Sequence, residues 1–408
     1  MKTYLVGGAV RDELLGLPVK ERDWVVVNAA PESMLQAGFL PVGKSFPVFL
    51  HPETKEEYAL ARLERKVAGG YAGFVFDTSP SVTLEEDLSR RDLTINAMAK
   101  TTDGKIIDPF NGQADLKNRI LRHVSVAFVE DPVRVLRVAR FMARFAPLGF
   151  RVAPETLALM RKMGENGELD YLVPERVWKE LAQALSEASP VAFIQTLRAC
   201  GALQRLLPEI DNLYGVPQSP ASHPEIDTGI HNELVLQQAT QLSNDPRVRF
   251  AALLHDVGKG LTPKNLWPKH PGHEHKGVAL VTQLCQRLRV PNDFQALAEL
   301  ATRMHGECYE IPGKSADAIL SLLEQGDAFR RPERFISFLL VCEADFRGRP
   351  GYDMAKHPSL PILKSALTAA QALDLDAVIK NSDQTGEGIK AAVRAARLQA
   401  ITMALKIP

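Results

Sequence analysis

The spacing of apolar and polar positions changes character about a third of the way along the chain. Up to about residue 125, short apolar runs alternate with helical stretches. YLVGG (4–8), DWVVV (23–27), PVFLH (47–51) and EEYALAR (56–62) read as strands, as do LTINAMA (93–99) and GKIIDPF (104–110). Beyond about 130 the apolar positions fall almost everywhere at helical spacing. VEDPVRVLRVARFMARF (129–145), VWKELAQALSEA (177–188) and PVAFIQTLRACGALQRLL (190–207) are amphipathic helices on this pattern. YGVPQSPASHPEIDT (214–228), rich in Pro, Ser and Asp, reads as a boundary. The pattern predicts an α/β or α+β module over 1–125, helices over 126–213, a second helical unit over 228–345 and a helical tail over 346–408.

Composition narrows this picture. A length of 408 residues predicts two to four domains. Hydrophobic residues at 45% and charged residues at 24% are those of a globular chain. The longest apolar runs fall short of a membrane span, and Met1-Lys2-Thr3 leads straight into a strand, so neither a span nor a secretory signal is expected. The four cysteines (Cys200, Cys285, Cys308, Cys342) lack C-x-x-C spacing, which predicts free thiols and a cytoplasmic protein. Net charge is zero, yet Asp115–Lys162 holds ten Lys/Arg against four acids, a local surface for a polyanion.

Two constellations carry chemistry. In GGAVRDELLGLPVKERDWVVV (7–27), a glycine pair at a strand-to-helix turn lets backbone N–H groups approach phosphate, and Arg11 follows in the first turn. Glu21 and Asp23 fall on one face of the following strand. Adjacent carboxylates repel unless a cation sits between them, and a hard divalent ion such as Mg²⁺ suits oxygen donors. Further on, Arg90, Arg91, Asp92 and Asn96 precede apolar positions. On the helix after Asp131, expected as its cap with Pro132 in the first turn, Val135, Val138, Met142 and Phe145 fall within about 80°. Arg137, Arg140 and Arg144 share a separate arc of about 60°, with few carboxylates at i±4 to balance them.

The second constellation is His231 (DTGIH), His255-Asp256 (LLHDVGKG), His273 and His275 (GHEHKG), His305, and Asp345 (CEADFRG). Imidazole with carboxylate suits Ni, Co, Mn or Zn. His231, His255, Asp256 and His305 are the first choice of ligands, followed by His273 and Asp345. His275 is interchangeable with His273, and Lys259 is a candidate phosphate contact.

GGAVRD, ERDWVVV, RRDLTINAM and EDPVR, in this order, resemble class II CCA-adding enzymes, the tRNA nucleotidyltransferases that build the 3′-CCA end. The length and the second constellation resemble the bacterial branch carrying an HD phosphohydrolase domain, where a metal-activated water attacks a phosphate ester. The resemblance implies an α+β fold: a nucleotidyltransferase head with a small mixed sheet, then an all-helical neck, body and tail. It implies tRNA, CTP and ATP as partners, with Mg²⁺ in the head and Ni, Co or Mn in the HD unit. It also implies roles: Gly8 and Arg11 on the triphosphate, Glu21 and Asp23 on the metals, and Arg91, Arg137 and Arg140 on phosphate or sugar. Asp131 and Arg134 would read the base, Glu57 is a candidate third carboxylate, and GGYAGF (69–74) resembles the loop that helps the switch from C to A. Where the family has Asp, Glu21 stands. The base-reading roles have physical content: cytosine and adenine both pair an amine donor with a ring-nitrogen acceptor, which a carboxylate and a guanidinium complement. Alternatives are a poly(A) polymerase, or an HD hydrolase whose head only binds nucleotide. The chain is expected to be a monomer or a homodimer.

Overall fold

In a computed structural model, which describes residues 1–42, 48–66 and 74–406, the chain forms two compact units, Met1–Leu206 and Leu207–Pro408. Most of GGYAGF lies outside the described residues.

The first unit opens with β1 (Lys2–Val6), α1 (Gly8–Leu15), β2 (Asp23–Val27), α2 (Pro31–Gln36), β3 (Leu40–Val42), β4 (Val48–Leu50) and β5 (Glu57–Leu60). There follow β6 (Leu63–Lys66), β7 (Phe74–Asp77), α3 (Leu84–Ser89), β8 (Ala99–Lys100), β9 (Ile106–Ile107), α4 (Gly112–Lys117) and β10 (Ile120–Leu121). A mixed sheet has the order β3-β4-β5-β2-β1-β8-β9, in which β2 and β5 run parallel and the other neighbours antiparallel. The unbroken apolar run of β2 follows from burial on both faces. Val25 and Val27 pack with Val6, Leu88 and Ala99, while Val26 packs with Met34, Phe49 and Leu60.

LTINAMA departs from the strand expected: Thr94–Asn96 is a 3₁₀ turn, and only Ala99–Lys100 joins the sheet. The Asp92 carboxylate accepts from the Leu93 N–H (2.8 Å) and Asn96 Nδ2 (2.9 Å), local bonds that compete with strand pairing. β2 begins at Asp23, so Glu21 lies on the approach to the strand rather than within it.

Next come α5 (Val133–Phe145), β11 (Arg151–Val152), α6 (Pro154–Glu165), α7 (Pro174–Leu185), α8 (Pro190–Ala199) and α9 (Ala202–Leu206). Pro132, not Asp131, occupies the cap position of α5, and the Asp131 carboxylate accepts the Val133 N–H at 3.1 Å. The face of Val135, Val138 and Phe145 is buried, with Met142 half-buried, as α5 packs on α7 and α8.

The second unit is helical: α10 (Pro208–Asp211), α11 (Thr228–Leu242), α12 (Pro246–Leu254), α13 (His273–Leu288), α14 (Asn292–Cys308), α15 (Ala316–Gln325) and α16 (Pro332–Arg347), then α17 (Ser359–Gln371), α18 (Leu375–Lys380) and α19 (Gly386–Leu405). α12 packs against α11, α14 and α16, and α13 against α14. The 214–228 stretch belongs to this unit. It folds back on itself through Gln218 N–H to the Ile226 carbonyl (2.8 Å) and Thr228 N–H to the Val216 carbonyl (3.0 Å). Its Pro and Ser residues serve turns there, which is why the segment read as a boundary. All four cysteines are free and buried. No helix among the described residues is long and apolar enough to cross a membrane.

Candidate functional sites

The first site is a cleft of about 1010 Å³ in the first unit, lined by ten basic and six acidic side chains. That balance suits a polyanion held beside cations. Its floor comes from the sheet. The parallel register places Asp23 beside Glu57, and Glu21 lines the same cleft. Burial, together with Glu21, raises the Asp23 carboxyl above its ordinary value, although Arg91 pulls it down. A carboxylate so placed gains from a divalent cation, and carboxylate oxygens are the kind of donor that suits Mg²⁺.

The glycines admit the cations. Gly7 has φ +69°, and a Cβ there would meet Arg91 Nη1 at 3.0 Å. Arg11 is buried; it donates to Asp12 (2.8 Å) and Asn96 (2.6 Å), and lies over Phe141 and Phe145 at 5.2 and 5.1 Å. Arg91 pairs with Asp87 at 3.1 Å. Burial alone would raise the Asp87 carboxyl, yet Arg91 and Arg90 hold it below the ordinary value.

The arginine stripe of α5 lines this cleft, and its charge is balanced from afar. Arg137 pairs with Asp92 (2.7 Å), Arg140 with Glu180 (2.6 Å) and Arg144 with Asp12 (2.8 Å). None of these carboxylates is an i±4 neighbour, so the sequence of α5 alone could not disclose them. The cluster holds the Asp92 carboxyl far below its ordinary value: burial opposes this, and Arg137 and the Asn96 amide overcome it. Asp131 and Arg134 both line the cleft and both have partners. Arg176 grips Asp131 with two bonds (3.0 and 2.7 Å), and Arg134 donates to the carbonyls of Ala127 (2.7 Å) and Arg90 (2.6 Å).

The second site gathers His231 from α11, His255 and Asp256 from the end of α12, His273 from α13, His305 from α14 and Asp345 from α16. The ligand atoms fall into overlapping triads: His231-His255-Asp256, His255-His305-Asp345 and Asp256-His273-His305. Backbone carbonyls orient three of the rings. The Nδ1 atoms of His255, His273 and His305 bond the carbonyls of Ala252 (2.7 Å), His270 (3.0 Å) and Ala301 (3.0 Å). With the proton on Nδ1, each Nε2 lone pair turns to the cluster, as metal-binding imidazoles require. His255 Nε2, His273 Nε2 and Asp256 Oδ1 are buried with no hydrogen-bond partner, so this donor set fits a metal ion. Gly258 brings the turn after Asp256 against α13, where a Cβ would collide with the His273 carbonyl.

Sequence reasoning missed His223 and Glu225. His223 forms a further triad with His231 and Asp345, and Glu225 lies 2.8 Å from His231 Nδ1. Both come from the 214–228 stretch, where they looked like linker residues. Burial and the neighbouring His231 hold His223 down to about 3. His275 is exposed and outside the cluster, so the structure selects His273 between the two. Lys259 is engaged by Asp256 (2.6 Å) and Gln218 (2.9 Å).

Three family models match: the poly A polymerase head domain over residues 3–122, the probable RNA and SrmB-binding site of polymerase A over 149–214, and the HD domain over 228–336. The chain is 59% identical over 401 residues to the multifunctional CCA protein of Thioalkalivibrio sulfidiphilus, covering 98% of each. The chain belongs to the multifunctional CCA protein family. That of Methylococcus capsulatus is 58% identical, with 98% of this chain and 94% of the relative covered. Among solved structures, a CCA-adding enzyme in complex with ATP aligns at a TM-score of 0.65 and 20% identity, over 98% of this chain and 86% of that one. The Thermotoga maritima CCA-adding enzyme complexed with tRNA aligns at 0.61 and 19%, over 99% and 91%. These two likenesses bear on the fold alone: a head with a small mixed sheet followed by helices. As a member of this family, the chain is a nucleotidyltransferase joined to an HD-type phosphohydrolase.

Proposed function

We propose that the chain adds and repairs the 3′-terminal CCA of tRNA from CTP and ATP without a nucleic-acid template, in the cytoplasm, and hydrolyses phosphate esters at its HD cluster. The observation that carries the reading is the cleft in which Glu21, Asp23 and Glu57 share walls with Arg91, Arg137 and Arg140. We assign transfer to residues 1–125, RNA contact to the helices of 126–213, hydrolysis to 228–345 and a helical tail to 346–408.

In the head, Glu21 and Asp23 would hold Mg²⁺, with Glu57 beside them. When bound, Mg²⁺ supplies positive charge to the reacting phosphoryl group and lowers the pKa of the attacking hydroxyl. Gly7 and Gly8 leave room for the triphosphate at the start of α1. Arg11, buried and tied to Asp12 and Asn96, supplies a charge already in place. Arg91, Arg137 and Arg140 bind phosphate and sugar oxygens through guanidinium forks set by Asp87, Asp92 and Glu180. The Asp131 carboxylate, steadied by Arg176, accepts from the base amine, and Arg134 donates to the ring nitrogen. Uracil and guanine present the reverse pattern at these positions and leave buried groups unpaired.

In the HD unit, His231, His255, Asp256 and Asp345 would hold a transition metal, with His305 and His273 on the Asp256 side. Ni, Co or Mn suit this set better than Mg²⁺, because imidazole nitrogens supply half of its donors. When bound, such an ion supplies an activated water for attack on phosphorus. Lys259 fixes the Asp256 carboxylate, and the backbone bonds of the three rings hold their lone pairs inward.

End-trimmed tRNA with labelled CTP and ATP tests the main reading. Growth by three nucleotides followed by a stop is expected; long A tails would indicate a poly(A) polymerase, and no extension would overturn the transferase assignment. Glu21 offers a sharper check. Glu21→Asp should remain active, because it keeps a carboxylate on the ion, whereas Glu21→Gln should lose more than about tenfold in addition rate. Equal rates for Gln and wild type would remove Glu21 from the metal site. Metal binding should also register as stability. Ni, Co or Mn at a hundredfold excess over Kd adds about 2.7 kcal/mol. A thermal melt should therefore shift upward relative to chelator-treated protein, and His255→Ala should abolish the shift.

A further inference from the structure

Arg349 follows the last turn of α16, four residues beyond Asp345. Its guanidinium lies 4.5 Å over the Tyr309 ring and 5.9 Å from that of Phe346. The Tyr309 hydroxyl donates to Asp345 Oδ2 at 2.8 Å, so Arg349 stacks on a ring that itself touches the metal cluster. The other cations nearby are committed: Lys259 to Asp256 and Gln218, and Arg347 to Glu343. The Arg349 side chain has neither an ion-pair nor a hydrogen-bond partner among the described residues, and its Nε is buried. A buried guanidinium N–H without an acceptor is costly unless a ligand supplies one. The two rings under Arg349 also pack on His357, 5.0 Å from Tyr309 and 4.9 Å from Phe346, and on the cluster itself the His223 ring is 4.7 Å from that of His231.

Stacking on Tyr309 covers one face of the guanidinium and leaves its edge for oxygen. A planar fork of N–H donors matches phosphate oxygens in two-point contact. We propose that Arg349 is the anion-binding side chain of the HD unit, taking a non-bridging phosphate oxygen of the ester beside the His231, His255, Asp256 and Asp345 cluster. The proposal rests on the reading of that cluster as a phosphohydrolase, and it adds the group that recognises the substrate's phosphate. The Arg349 charge complements the developing negative charge at phosphorus during attack.

The test uses the full chain loaded with Ni, Co or Mn, as wild type, Arg349→Gln and Arg349→Lys. Four quantities are measured: bound metal, the Kd for inorganic phosphate by titration calorimetry, and kcat and KM for p-nitrophenyl phosphate. Metal content should be unchanged. The phosphate Kd of Arg349→Gln should rise about tenfold or more, with KM rising alongside it, and Arg349→Lys should recover part of the loss. CCA addition should stay at the wild-type level in both variants. Should Arg349→Gln fail to fold, Arg349→Met, whose side chain still covers Tyr309, takes its place. A wild-type phosphate Kd in the Gln or Met variant overturns the proposal, and so does loss of bound metal in parallel with loss of phosphate. A wild-type protein that binds phosphate through Arg349 yet hydrolyses no ester upholds the anion site and overturns the hydrolase reading instead.

Discussion

Asp23→Asn is expected to abolish nucleotide addition, by about a thousandfold or more, while leaving phosphate-ester hydrolysis intact; His255→Ala is expected to do the reverse. The asymmetry follows from where each residue stands. Asp23 begins β2, beside Glu57 and across the cleft from the α5 arginines, and its carboxyl is already raised by burial and by Glu21. Asparagine keeps the shape and the strand pairing but removes the negative charge proposed to draw Mg²⁺. His255 stands at the end of α12 in a separate compact unit, with Nδ1 fixed on the Ala252 carbonyl and Nε2 aimed into the cluster. Alanine there removes a proposed metal ligand and leaves the first unit untouched. Hard oxygen donors in one site and imidazoles in the other select different ions. The hydrolase should therefore respond to added Ni, Co or Mn, and the transferase to Mg²⁺. Assays of both activities on each variant, with circular dichroism to confirm folding, decide the matter. Loss of both activities from one substitution in a folded protein would exclude two independent sites.

Arg134→Ala is expected to weaken nucleotide choice and stability together. Two carbonyls, of Ala127 and Arg90, lose their donor, at a cost of about 1–3 kcal/mol each if they stay dry. Loss of half the proposed base-reading pair should cost about 1–3 kcal/mol of discrimination against U and G. Asp131→Ala differs in mechanism: it leaves the Arg176 guanidinium facing the cleft without the carboxylate that holds it. Incorporation ratios of the four nucleotides and a thermal melt separate the two effects. Unchanged preference for C and A in a destabilised Arg134→Ala protein would make Arg134 a structural brace and not a reader.

Much of both sites was legible in the sequence because the chemistry clusters locally. The glycine pair at the start of α1, the Glu21 and Asp23 spacing, the arginine arc of α5 and the His255-Asp256 doublet are each set within a few residues, although Glu21 falls just before β2 and not on its face. The apolar run of β2 announced its double burial, and the α5 face of Val135, Val138 and Phe145 turned inward as its spacing required. What the linear chain could not disclose depends on segments far apart meeting in space. Sheet register set Glu57 beside Asp23. Chain reversal delivered Asp92, Glu180 and Asp12 to arginines that seemed unbalanced on their own helix. Side-chain bonds from Asp92 turned an apparent strand into a 3₁₀ turn. The choice of His273 over His275 was made by the direction in which α13 leaves its N-terminus, one ring facing the cluster and the other water. His223 joined the histidine and aspartate cluster, and Glu225 came to lie against His231, because a Pro-rich stretch folds back on itself, and composition marks such a stretch as irregular without saying whether it is exposed or packed. Residue types and periodicity thus determined which chemistry the chain carries, while tertiary packing alone decided which charges meet, because those pairings are set by distance in space and not along the chain.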